Sequence, residues 1–403
     1  MSGTRATTAF RRRAPVPAAL LGLVLLAAAC GSHGTATPGG GPAPTAGQPL
    51  APWSGTLTAV ALPAGIQSLR SVSCPTATRC WAVGSASPTG AAVVTTTDGG
   101  ATWSTRAVPT TVGHLTGIAC TGPRRCTAVG QVGTTGTGPG AVLATTDGGA
   151  SWTLEPVPAG TSDVTAVTCS GSTCTALADV AGRVTSLASV GVGAPWVAGG
   201  PLPTTVTAGT GLSCVGSGRC WATATAPVDI GHTTGAVVAT TDGGSTWTPE
   251  QVPPGLGPLR SVACTSGATT PSDGTTRPAG SGVMCTAVGT TATVANGGRS
   301  GQGVILTTSN GGVTWVAAPV PAVVADLLSV SCGAGPCVAV GTTVASAPQS
   351  GVVVLSAQRS TVGAEWRAAV TATVPLPLAG VDCRTLSSCV AVGESTSVHL
   401  AAA

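Results

Sequence analysis

The chain of 403 residues carries 59 Gly and 31 Pro, only 7% charged residues, and neither Tyr nor Lys. A mean hydropathy of +0.42 would suit a membrane protein, yet only one stretch, near the N-terminus, approaches the ~20 apolar residues a spanning helix needs, which excludes a multi-spanning protein. Four of the 17 basic residues, Arg5, Arg11, Arg12 and Arg13, lie in the first 13 positions, and the remainder balance the 13 acidic ones. Overall charge therefore favours neither nucleic acid nor an anionic membrane surface as a partner.

Residues 1–29 combine an Arg-rich start, an apolar segment and the small run Ala27, Ala28, Ala29 directly before Cys30. That order predicts a secretory leader. The Cys after small residues resembles the lipobox of bacterial lipoproteins, in which the thiol is linked to diacylglycerol, although Ala27 stands where Leu is commonest. The resemblance implies a membrane anchor at Cys30 on the extracytoplasmic face; ordinary cleavage leaving a free Cys is the alternative. Residues 30–52 are nearly all Gly, Pro, Thr, Ala and Ser, a composition expected of a flexible tether. The folded domain is expected over 53–403. Scarce helix formers and abundant Thr and Val make it all-β.

Setting Cys30 aside, the cysteines fall into close pairs: Cys74 with Cys80, Cys120 with Cys126, Cys169 with Cys174, Cys214 with Cys220, Cys264 with Cys285, Cys332 with Cys337, and Cys383 with Cys389. Their first members recur every 45 to 68 residues, an internal period that signals a repeat architecture. Each repeat reads L-x-small-[VI]-small-C, a turn, C-x-A-V-G, a variable loop, a Val/Thr run, and T-x-D-G-G-x-[ST]-W ending at [VL]-P. Four repeats keep the D-G-G turn, at Asp98 to Trp103, Asp147 to Trp152, Asp242 to Trp247 and, with Asn in place of Asp, Asn310 to Trp315. The segments give four short strands, A to D, per unit.

Four-stranded units at this spacing predict a β-propeller, with a solenoid as the alternative. The chain ends decide between them. The seventh repeat stops after strand C, and its missing strand D appears at 53–63, so that seven [VL]-P endings fall at Pro63, Pro109, Pro158, Pro203, Pro253, Pro321 and Pro375. An N-terminal strand completing the last blade closes a ring of seven four-stranded antiparallel blades.

Residues opposite one another on antiparallel strands have Cα atoms ~4.5 to 5.5 Å apart, within reach of a disulfide. One bridge per A–B hairpin is expected in an oxidising compartment. Zinc would need four ligands together, whereas these pairs are distributed singly and lack C-x2-C spacing. Trp81 and Trp221 are the two tryptophans outside the repeat pattern.

The T-x-D-G-G-x-[ST]-W turn resembles the Asp-box, or BNR repeat, of sialidase-type propellers and sortilin-like receptors. Its Asp can bond turn N–H groups, its glycines can take positive φ, and its Trp can pack between blades. One carboxylate per turn is too few oxygens for calcium. The whole unit resembles the propeller family of the photosystem II stability and assembly factor, whose pattern carries no paired Cys here. That resemblance implies a binding scaffold. Sialidases use a Tyr nucleophile, and this chain has no Tyr.

The expected function is therefore a non-catalytic, lipid-anchored binding protein, monomeric, without cofactor or metal, with a protein partner and with glycan binding or glycoside hydrolysis as alternatives. Disulfides and D-G-G turns should occupy one face. Variable loops at 131–140, 223–235, 290–303 and 342–351 should occupy the other, where binding residues concentrate. The candidates there are His114, Asp163, Asp229, His232, Arg299 and Asp326, with Arg70 and Arg260 at the start of strand A, placed to clamp an anion.

Overall fold

The computed structural model describes residues 56–133, 138–216, 218–229, 232–266, 282–292, 301–333, 337–344, 350–356, 366–369, 377–385 and 388–401. Cys30, Arg299, the leader and the tether lie outside these residues, as do parts of the four variable loops. Among the described residues, 28 strands form seven four-stranded antiparallel sheets, with no helix. The fold is a seven-bladed β-propeller.

Blade 1 shows the pattern: A (Ile66–Ser73), B (Cys80–Ala86), C (Ala91–Thr96) and D (Ser104–Thr105) pair in that order. Strand D starts just after the Trp in blades 1 to 5 and at Trp366 in blade 6. Strand A of every blade packs on strand A of the next, and Leu378–Cys383 of blade 7 packs back on Ile66–Ser73 of blade 1, so the A strands line the centre. Blade 7 takes its strand D from the other end of the chain, with Thr56–Ala61 running antiparallel to Thr396–Ala401 from Thr56↔Ala401 to Ala61↔Thr396.

The core lies between blades. In each seam, strand B of one blade meets strand A of the next: Val83 with Leu115 and Ile118, Val129 with Val164, Val288 with Leu327. The closing seam is built the same way, from Val390 and Val392 of blade 7 against Leu69 and Val72 of blade 1. Leu69, Leu115, Leu259, Leu327 and Leu378, the leading residue of five A-strand motifs, are 0% exposed, each worth ~1.5 to 3 kcal/mol in burial.

Each A–B hairpin is closed by its own disulfide. Cys74 is bonded to Cys80, Cys120 to Cys126, Cys169 to Cys174 and Cys214 to Cys220. In the last three blades Cys264 is bonded to Cys285, Cys332 to Cys337 and Cys383 to Cys389. The pairing is the one expected from the sequence. The Cα–Cα distances of 4.0 to 4.2 Å are nevertheless shorter than the spacing expected from strand pairing alone. A loop of about seven residues closed this way stabilises by roughly 2 kcal/mol through the unfolded chain. Seven bridges place the domain in an oxidising environment. Among the described residues no helix is long and apolar enough to cross a membrane.

The D-G-G turns repeat one hydrogen-bond set. Asp98 Oδ1 accepts from Thr96 Oγ1 at 2.6 Å and from the Thr102 N–H at 2.9 Å, while Oδ2 accepts from Thr102 Oγ1 at 2.6 Å. Asp147 and Asp242 do the same. These bonds favour the ionised form, holding Asp98 down to about 2 and lowering Asp147 and Asp242 further. Asn310 keeps the geometry by donating from Nδ2 to Thr314 Oγ1 at 2.9 Å. Gly149 is required on two counts: its φ is 76°, and an added Cβ would lie 2.4 Å from the Trp81 ring.

Trp81 and Trp221, unassigned by the repeat pattern, are interblade residues only 1% and 3% exposed. Trp81 packs edge-on against Trp152 of blade 2, with ring centroids 6.1 Å apart. Trp221 donates its indole N–H to the Gly311 carbonyl of blade 5 at 3.1 Å. Each follows the second Cys of its blade and lands on the D-G-G turn of the next, so neither offers an exposed platform for a sugar.

Candidate functional site: the channel mouth

The A strands share one irregularity. In every blade the register of A against B shifts at the residue after the motif's first position, at Leu69/Ser71, Leu115/Gly117, Val164/Ala166, Gly209/Gly211, Leu259/Ser261, Leu327/Ser329 and Leu378/Gly380. A bulge there re-aims one side chain per blade. The ring of bulged residues is Arg70, Thr116, Thr165, Thr210, Arg260, Leu328 and Ala379. The glycine of A-V-G answers the bulge. A Cβ on Gly84, Gly130, Gly289 or Gly341 would lie 1.9 to 2.3 Å from the carbonyl oxygen of Ser68, His114, Pro258 or Asp326.

Bulged residues reach the next blade. Thr116 Oγ1 donates to the Val164 carbonyl at 2.9 Å, and Thr210 Oγ1 to the Leu259 carbonyl at 2.7 Å. Arg260 Nη2 pairs with Asp326 Oδ2 of blade 6 at 3.4 Å. Arg70 is exposed, with no side-chain hydrogen bond or ion pair among the described residues. The two arginines foreseen as an anion clamp are thus unlike: one is free and the other is already matched by a carboxylate.

Around the same mouth, His114 of blade 2 lies within electrostatic range of Asp163 of blade 3. Partial burial raises the Asp163 pKa, with His114 opposing the shift and Asp179 adding to it. Burial likewise raises Asp326, against the pull of Arg260. One oxygen of each carboxylate, Asp163 Oδ1 and Asp326 Oδ1, is buried without a hydrogen-bond partner. Gln131, buried, braces this sector by donating to the carbonyls of Gly138 and Ser162, both at 2.9 Å, and Ser162 donates to Asp179 at 3.0 Å.

Asp229 and His232 pair across the B–C hairpin of blade 4, and their side chains lie outside the described set. The structure therefore brings together His114 with Asp163 and Arg260 with Asp326, in separate sectors of one mouth, with Arg70 in blade 1. Among the described residues no group of three His, Cys, Asp or Glu could hold a metal ion.

Three polar residues escaped the sequence reading. Glu155 accepts the Trp196 indole N–H at 3.0 Å, and partial burial raises its pKa. Glu250 occupies the equivalent place three residues after the blade's Trp, beside the Trp221 indole and Gly312, where burial pushes its pKa up to about 7. Asp382 stands where the repeat elsewhere has Ser, Ala or Thr before Cys. That departure, V-D-C against V-S-C, was the available signal.

No family model matches the chain, and no curated protein matches it. Among solved structures the chain is similar to YCF48 bound to D1 peptide, at 16% identity with a TM-score of 0.57, covering 86% of this chain and 96% of that one. It is also similar to the GH74 xyloglucanase from Xanthomonas campestris, at 13% identity with a TM-score of 0.54 over 84% of this chain. The match spans about half of the xyloglucanase, 53% of its length. At these identities the likenesses establish the propeller fold, which both a peptide-bound protein and a glycoside hydrolase display.

Proposed function

We propose that the chain is a non-catalytic propeller, lipid-anchored through Cys30 at the extracytoplasmic face of a cell membrane, whose channel mouth binds a protein partner. The observation that carries this reading is the ring of bulges, which delivers a free Arg70 and the Arg260–Asp326 pair to the centre of a rigid, disulfide-stapled frame. Mixed charges with unsatisfied carboxylate oxygens suit the backbone and side-chain groups of a polypeptide. The D-G-G turns fit the Asp-box as a structural device, because their carboxylates are engaged within their own turns. YCF48, with its D1 peptide, provides a precedent for peptide binding on this architecture.

Glycoside hydrolysis is the second reading, favoured by the raised pKa values of Asp163 and Asp326. It needs two carboxyl groups ~5 to 9.5 Å apart across one bond, whereas these belong to blades 3 and 6. Crosslinking on intact cells followed by pull-down tests the first reading. A protein adduct lost in Arg70→Glu/Arg260→Glu supports it. Turnover of fluorogenic glycosides abolished by Asp163→Asn or Asp326→Asn would replace it with the second.

A further inference from the structure

The face opposite the channel mouth has a chemistry of its own. The A–B and C–D turns lie together on it: the N–H groups of Gly99, Gly148 and Gly243, in C–D turns, donate to the carbonyls of Thr78, Arg124 and Gly218 in the A–B turns of the same blades. Thr56 pairs with Ala401 at the C–D end of blade 7, so strand D of that blade starts on this face.

Five arginines stand at the A–B turns: Arg79, Arg124, Arg125, Arg219 and Arg384. Those of blades 7, 1 and 2 form a continuous track. Arg384 donates to the Pro75 carbonyl, Arg79 Nη1 donates to the Pro123 carbonyl at 3.3 Å, and the side chains of Arg79 and Arg124 both flank Gly148. Three carboxylates of the face stay ionised and offset part of this charge. Asp98, Asp147 and Asp242 are bonded within their own turns, and Asp382 accepts the Cys74 N–H in the seam between blades.

The two most exposed large hydrophobic side chains among the described residues, Val190 at 77% and Val313 at 73%, sit on the C–D turns of blades 3 and 5, hence on the same face. Cations and protruding apolar groups on one face are the combination that adsorbs to an anionic bilayer. Overall neutrality conceals a local excess on this face, where Arg384, Arg79, Arg124 and Arg125 of blades 7, 1 and 2 stand against the ionised Asp98 and Asp147.

We propose that the A–B face docks on an anionic phospholipid surface, which turns the channel mouth away from the membrane towards its partner. The proposal rests on the lipid-anchored reading for one element only: a tether raises the local concentration enough for weak adhesion to orient the domain.

The test uses residues 30–403 with Cys30→Ser, since the ring of blades is complete within 56–401. Flotation is measured with vesicles of phosphatidylcholine alone and of phosphatidylcholine with about 30% phosphatidylglycerol, enough to set up a negative surface potential. Binding to the anionic vesicles is expected, weakening as salt rises. Arg79→Gln/Arg124→Gln/Arg125→Gln should weaken it about a hundredfold, at roughly fivefold per arginine, and Arg183→Gln on the other face should leave it unchanged. Arg124 and Arg125 are exposed, so Arg124→Gln/Arg125→Gln tests the point without disturbing the Arg79 contact. Equal flotation with both vesicles, or no loss in these variants, overturns the proposal. Mass spectrometry of Cys30 in the secreted full chain reads the anchor separately: an unmodified Cys30 would sink the lipid anchor while leaving the vesicle result standing.

Discussion

The Asp382 carboxylate accepts the backbone N–H of Cys74 at 2.6 Å, joining the last blade to the first across 308 residues of sequence. Three of the other seams use a hydroxyl at this level: Ser73 accepts from the Cys120 N–H, Ser213 from Cys264 and Ser331 from Cys383. Asp382 also accepts from Ser331 Oγ at 3.2 Å, so one carboxylate ties blades 6, 7 and 1. Asp382→Ala leaves the Cys74 N–H without an acceptor, at an expected cost of about 1 to 3 kcal/mol. Asp382→Ser restores the hydroxyl of the repeat and should recover more than half of the loss. Thermal unfolding of the oxidised protein, read by circular dichroism, checks both.

The D-G-G turns predict which substitutions are tolerated. Asp242→Ala removes three accepted bonds and should lower Tm, whereas Asp242→Asn should be nearly neutral because Asn310 already shows an amide filling the role. Since Asp98 titrates at about 2 in the fold against an ordinary 3.8, its contribution is complete above pH 3.8 and is lost as pH falls through 2. Unfolding scans between pH 5 and 2 should show stability dropping on the acid side, less steeply in Asp98→Asn.

Glu250 acts with the opposite sign. Its folded pKa of about 7 lies above the ordinary 4.5, so the native state holds its proton longer than the unfolded chain. Stability is full below pH 4.5 and declines as pH rises through 7. The full displacement would correspond to ~3 kcal/mol; solvent screening at this partly exposed site brings the expected loss to about 1 kcal/mol. Glu250→Gln should raise Tm at pH 8 and flatten the profile between pH 5 and 8. The Trp221 emission should follow the same titration, because its indole lies beside the Glu250 carboxylate.

The A-V-G glycine is fixed by the bulge opposite it. In Gly84→Ala the new Cβ would fall 1.9 Å from the Ser68 carbonyl oxygen and 2.8 Å from the Leu69 Cα, both backbone atoms that cannot step aside. A cost of about 3 kcal/mol is expected, with register shifts along A–B visible in hydrogen exchange. At Gly133 a Cβ would meet nothing within 4 Å but φ is 80°, so Gly133→Ala should show a smaller loss from backbone strain alone.

Blade number, strand order, disulfide pairing and ring closure were legible in the sequence because each rests on a local signal that recurs from blade to blade: a Cys pair, A-V-G, and [VL]-P. The channel mouth was legible in part. Arg70 and Arg260 stood out because charges are scarce, but the Arg260–Asp326 pair joins different blades, and nothing local announces it. Trp81 and Trp221 looked exceptional because their contacts also cross seams. Asp382, Glu155 and Glu250 were missed for the same reason: a repeat pattern describes a blade, whereas the polar groups that stabilise the ring act between blades.

Photocrosslinking on intact cells tests the central claim most directly, with a diazirine amino acid replacing Val228 in the B–C hairpin or Val313 in a C–D turn of the full chain. Both sites are exposed, at 65% and 73%, and they lie on opposite faces of the propeller. Protein adducts from position 228, lost in Arg70→Glu/Arg260→Glu, with phospholipid adducts from position 313, are the predicted result. Protein adducts from position 313 and none from position 228 would contradict it.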